Sequence, residues 1–120
     1  MEHNKEFLNL LLDRRSCRAF PPDPVDRPTL AAIVEAGRYA PSAMNIQKNH
    51  FYIITDPALL TQLTATVSRQ LENFAGRDFR YGAPALVLVP NRKRNTMALP
   101  DDSCPMEHLM LAAASLSVGP

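Results

Sequence analysis

Apolar positions along the chain fall into helical spacing first. Phe7, Leu8, Leu11 and Leu12 recur every three or four residues and predict a first helix ending near Arg14. Its basic end suits the negative pole of the helix dipole. A proline-rich turn follows, and Asp26 with Pro28 supplies an N-cap and a helix-start proline for a second helix. Leu30, Ile33, Val34 and Gly37 form its buried stripe. That helix is expected to stop by Ala40, because Pro41 disfavours helical geometry at the residue before it.

The pattern then changes period. His50 to Thr55, HFYIIT, has the β-branched and aromatic content of a buried strand. Asp56 and Pro57 start a third helix, along which Leu59, Leu63, Val67 and Leu71 recur every four residues until Gly76 closes the run. Ala85 to Val89, ALVLV, is a continuous apolar run between two prolines and reads as a strand covered on both faces. After the polar stretch NRKRNTMALPDDS, a last helix is predicted from about Pro105 to Leu116. Met106, Leu109, Met110 and Ala113 lie at core spacing along it, with Asp101 and Asp102 just ahead of its positive end. Two strands among four helices make a meagre sheet, so the chain reads as a fold that needs a partner chain or more polypeptide, with an exposed sheet edge.

Composition narrows the class. A chain of 120 residues, 46% hydrophobic and 21% charged, has room for one globular domain spanning residues 1 to 120. Its eleven prolines punctuate apolar runs and do not form a linker. The formal net charge of +1 argues against general attraction to nucleic acid or an anionic membrane. No apolar run approaches the roughly 20 residues that span a bilayer, and MEHNKEF lacks the pattern of a signal peptide, so a cytoplasmic protein is expected. Cys17 and Cys104 are isolated thiols without metal-ligand or disulfide spacing.

Two segments carry candidate chemistry. RRSCRAF, Arg14 to Phe20, offers guanidinium forks and a hydroxyl to a phosphate, although arginines there also suit a helix C-terminus. AGRYAPSAMNIQ, Ala36 to Gln47, holds a Pro-Ser-x-x-Asn-x-Gln turn. The amides of Asn45 and Gln47 both donate and accept, as the uracil-like edge of a flat heterocycle requires; alone, the turn is equally an ordinary polar loop. Together the segments point to a phosphorylated cofactor such as FMN.

In order and spacing, RRSCRAF, AGRYAPSAMNIQ, HFYIITDP, YGAPALVLV and DDSCPMEHLMLAAASLSVG resemble the N-terminal portion of the nitroreductase family of FMN-dependent oxidoreductases. The resemblance covers nearly the whole chain. It implies an α+β sandwich of a central sheet flanked by helices, apparently lacking its C-terminal part. It also implies a homodimer in which Arg14, Arg15, Ser16 and Arg18 of one subunit and Pro41, Ser42, Ala43, Asn45 and Gln47 of the other bind FMN, with Asn73 and Arg77 as weaker candidates near the ring edge. The chemistry implied is hydride transfer from NAD(P)H through flavin N5 to an electron-poor small-molecule acceptor such as a nitroaromatic or quinone, with no catalytic protein side chain. Lys48 and Asn49 depart from the family's aromatic or proline after the turn glutamine.

Other conspicuous residues have plainer explanations. His3, His50 and His108 are far apart in sequence and form no ligand pattern, and Met97, Met106 and Met110 read as core packing. Asn91 to Arg94, NRKR, reads as a solvated loop. The alternative to a flavin enzyme is a catalytically silent fragment that associates through its exposed apolar edge.

Overall fold

The computed structural model describes residues 4–42, 45, 49–90 and 98–119. Helix α1 (Lys5–Asp13) starts where the Asn4 side chain accepts from the Phe7 N–H at 3.0 Å, and it ends where the Arg14 N–H donates to the Leu10 carbonyl. Helix α2 (Arg27–Arg38) has the expected N-cap: Asp26 accepts from the Thr29 N–H at 2.9 Å, with Pro28 in the first turn. Hydrogen bonds from Thr29 hold the Asp26 carboxyl below the usual carboxylate range. Leu30, Ile33 and Gly37 are its buried positions, as the spacing requires, and it stops before Ala40.

Strand β1 (Tyr52–Ile54) pairs antiparallel with β2 (Leu86–Leu88), Ile53 opposite Val87. Between them run α3 (Pro57–Gln70), capped by Asp56, and a 3-10 turn (Glu72–Phe74). Helix α4 (Ala98–Ser115) completes the order. The main helix contact is α2 on α4. Ile33, Leu109 and Ala113 form its centre, and Phe51, Val87 and Val89 pack onto that centre from the ribbon. Gly37 permits the approach: a Cβ there would lie 2.8 Å from Leu109 Cδ2 and 3.0 Å from Phe51 Cε1.

Four expectations are corrected. The strands are not covered on both faces, since Tyr52 is 51% exposed and Leu88 is exposed opposite it. In α3 the buried residue is Leu60 at 3%, whereas Leu59 is 40% exposed, and the helix ends six residues before Gly76. Helix α4 begins at Ala98 and runs through Pro105, so Asp101 and Asp102 lie inside it and not ahead of it. Proline's fixed φ fits a helix, and the lost N–H and ring clash cost about 3 kcal/mol; burial of Pro105, Leu109 and Ala113 on one side offsets that cost. Met106 is 42% exposed, not core; Met110 is half-buried, and Met97 falls outside the described residues.

Among the described residues no helix is long and apolar enough to cross a membrane.

Candidate functional site

The arginine-rich segment leaves α1 at the Arg14 cap, where φ is −56° and ψ 133°, and continues without helix or strand to Phe20. Arg14 is half-buried. Its Nη1 is buried and has no hydrogen-bond partner among the described residues. A buried donor left unmade costs about 1–3 kcal/mol, so this guanidinium favours any rearrangement that supplies an oxygen. Ser16 and Arg18 are exposed.

Arg15 behaves differently from its neighbours. Its Nη1 donates to the Leu12 carbonyl at 2.8 Å and to the Arg14 carbonyl at 3.0 Å. Leu12 lies in the last turn of α1, where carbonyls have no N–H within the helix to meet them. One of the arginines thus satisfies the helix end.

Cys17 packs against the far end of the chain. A Cβ on Gly119 would lie 2.8 Å from Cys17 Sγ and 3.6 Å from Phe20 Cε1, and Gly119 has φ +67°. Both the close approach and the left-handed backbone call for glycine. Phe20 and Gly119 in turn line an apolar cavity of about 210 Å3 between α2, α4 and the strand lead-in, with Ala83, Met106 and Met110.

The second segment follows α2. Pro41 is exposed and Ser42 half-buried, and the Ser42 carbonyl accepts from the Asn45 N–H at 3.0 Å. Asn45 has φ +54°, a conformation in which asparagine is enriched. Ala43 and Gln47 fall outside the described residues. Ser42 borders a polar cavity of about 410 Å3 with Glu35, Arg38, Tyr39, Asn49 and Phe51; Glu35 and Arg38 pair at 2.9 Å. The two segments line different cavities, one apolar and one polar. Asn73 and Arg77 are exposed on and just after the 3-10 turn, where the Arg77 N–H donates to the Phe74 carbonyl.

One polar network went unforeseen. Arg80 Nε donates to Thr64 Oγ1 at 2.8 Å and its Nη1 to the Ala83 carbonyl at 2.5 Å, while Asp78 accepts from the N–H groups of Arg80 and Gly82, each at 2.9 Å. Burial pushes the Asp78 carboxyl up, but those N–H groups, the Arg80 charge and the Thr64 hydroxyl outweigh it and leave the pKa lowered. The network ties α3 to the turn that leads into β2 and holds two left-handed residues, Tyr81 and Gly82. Its sequence signal was the Tyr-Gly before Ala83, a turn mark that names no partner.

His50 is exposed, and His108 Nδ1 lies 3.2 Å from the Cys104 carbonyl, a contact within α4. His3 and Asn91 to Arg94 lie outside the described residues.

The arrangement offers an anion two guanidinium groups and a hydroxyl on a single loop, held at one end by a helix and at the other by the chain's last residues. Solved structures share this fold. A nitroreductase with bound FMN from Bacteroides fragilis superposes with a TM-score of 0.85 at 31% identity, covering 94% of this chain and 66% of that one. A nitroreductase with bound FMN from Desulfitobacterium hafniense gives 0.80 at 28%, covering 97% and 67%. A curated Archaeoglobus fulgidus protein, named as a candidate NADH dehydrogenase/NAD(P)H nitroreductase, is 28% identical over 117 residues, which are 96% of this chain and 65% of that protein. The chain therefore spans about two thirds of the length of these relatives. The nitroreductase family model matches residues 11–119, from the end of α1 to the glycine on Cys17, and the chain belongs to the nitroreductase family.

Proposed function

We propose that this chain is part of an FMN-dependent oxidoreductase that works as a homodimer, with NAD(P)H as electron donor. The observation that carries the reading is the RRSCR loop: Arg14 has a guanidinium nitrogen without an acceptor, and Ser16 and Arg18 stand exposed two and four residues on. A phosphate dianion suits a guanidinium fork with a neighbouring hydroxyl through charge-assisted hydrogen bonds, and Arg18 adds a second cation for the rest of a phosphorylated cofactor. The solved relatives that contain FMN support the choice of that cofactor.

When bound, FMN would supply the redox chemistry that links NAD(P)H to an electron-poor acceptor such as a nitroaromatic or quinone. The protein's part is binding, orientation and charge. Arg14 and Ser16 take the phosphate. Arg18 is assigned to the N1 and O2 side of the ring, where a fixed positive charge favours the anionic reduced form. Pro41, Ser42, Ala43, Asn45 and Gln47 are assigned to the cofactor held by the partner subunit, the Asn45 and Gln47 amides to the ring's donor and acceptor edge. No protein general base is needed, because the acceptor draws its proton from water. Phe7, Leu8 and Leu12, exposed along α1, give a second copy an apolar surface to cover.

Flavin titration of the purified whole protein tests this. A yellow protein is expected, and replacing Arg14 and Arg18 together by alanine should weaken FMN binding at least tenfold, about 1.4 kcal/mol. An unchanged dissociation constant would sink the assignment.

A further inference from the structure

We propose that Arg15 is a positioning residue: it clamps the end of α1 and thereby aims Arg14, Ser16 and Arg18, without itself meeting the phosphate. The inference rests on the FMN reading above. It starts from the double hydrogen bond of Arg15 Nη1 to the Leu12 and Arg14 carbonyls. The first of these satisfies a last-turn carbonyl, a use to which arginines near helix C-termini are suited. The second fixes the peptide between Arg14 and Arg15, and with it the direction in which the chain leaves the helix.

The neighbours divide accordingly. Within Arg14 to Arg18, Arg15 turns back onto α1 and Cys17 onto Gly119, so these two residues are engaged with the protein's own framework. Among the even-numbered ones, Arg14 carries the unmet donor, and Ser16 and Arg18 are exposed. An extended chain separates alternate side chains in this way. Anchoring Arg15 and Cys17 leaves Arg14, Ser16 and Arg18 to the cofactor, the first two for its phosphate and the third for its ring.

FMN and riboflavin differ by the phosphate, so the ratio of their dissociation constants isolates contacts to it. In the whole protein, Arg14→Met should reduce the preference for FMN over riboflavin at least tenfold. Arg15→Met should weaken both ligands by a similar factor and leave the ratio within about twofold of the wild type, since a misaimed loop harms ring and phosphate contacts alike. Without flavin, Arg15→Met should also speed amide hydrogen exchange in the last turn of α1, while Arg14→Met should not. A collapse of the ratio in Arg15→Met as large as in Arg14→Met, or unchanged exchange, overturns the proposal. A wild-type protein that binds neither flavin overturns the cofactor reading and the positioning role with it, and the exchange measurement still decides whether the clamp exists.

Discussion

The α2–α4 pair and the α1 surface have similar raw material and opposite fates. Both present leucines at helical spacing, yet Leu30, Ile33, Leu109 and Ala113 are buried, whereas α1 has no buried residue and its Leu12 is 73% exposed. The difference is not propensity or amphipathicity. It is whether a complementary face lies within reach, and α2 has one because Gly37 lets Leu109 settle against its backbone. An apolar stripe states that burial is wanted; only the partner states where.

Deleting the side chain at the centre should break the comparison most clearly. Leu109→Ala is expected to lower stability by about 2–5 kcal/mol in a denaturant melt, because a buried leucine leaves a cavity. Leu12→Ala should change the same melt by less than about 0.5 kcal/mol while weakening self-association in light scattering. Equal losses would mean that α1 is as well packed as the core. Gly37→Ala comes next in size. Its methyl enters space held by Leu109 and Phe51, and overpacking of that kind costs about 1–3 kcal/mol; a neutral result would show that the helices separate freely.

The smallest expected effect concerns the polar tie between α3 and the β2 lead-in. Because the folded Asp78 pKa lies below the ordinary value of 3.8, its contribution is present above that value and is lost as pH falls through the folded pKa. Asp78→Asn should therefore flatten the acid side of the stability profile below about pH 4 and hardly alter its shape near neutrality. A profile as steep as the wild type would assign acid sensitivity elsewhere. Solvent screening of this partly exposed carboxylate keeps the effect modest.

Legibility followed the same division. Helix α2 was readable from end to end since its cap, proline, stripe and stop are all local. In α3 the row Leu59, Leu63, Val67, Leu71 misled, because a four-residue step advances about 40° too far on each repeat and winds off any fixed face. Leu60, one position away, faces the core. The run ALVLV promised cover on both sides, but hydrophobicity alone could not show that Leu88 would stay open. The start of α4 was missed because Pro105 looks like a helix opening and here lies within one. At the proposed site, the residue types themselves could be read from the sequence. The return of Arg15 to Leu12 and the contact of Cys17 with Gly119 could not, the first being a matter of rotamer and the second joining positions at opposite ends of the chain.

That last contact bears on how the loop comes into being during synthesis. Position 119 follows position 17 by 102 residues, and at about 5–20 residues per second a ribosome needs roughly 5–20 s to traverse that interval. Throughout this time the glycine against which Cys17 rests has not been made. The Arg14 to Phe20 loop therefore cannot take its final shape until well after it has been translated, because one side of its packing is still unmade.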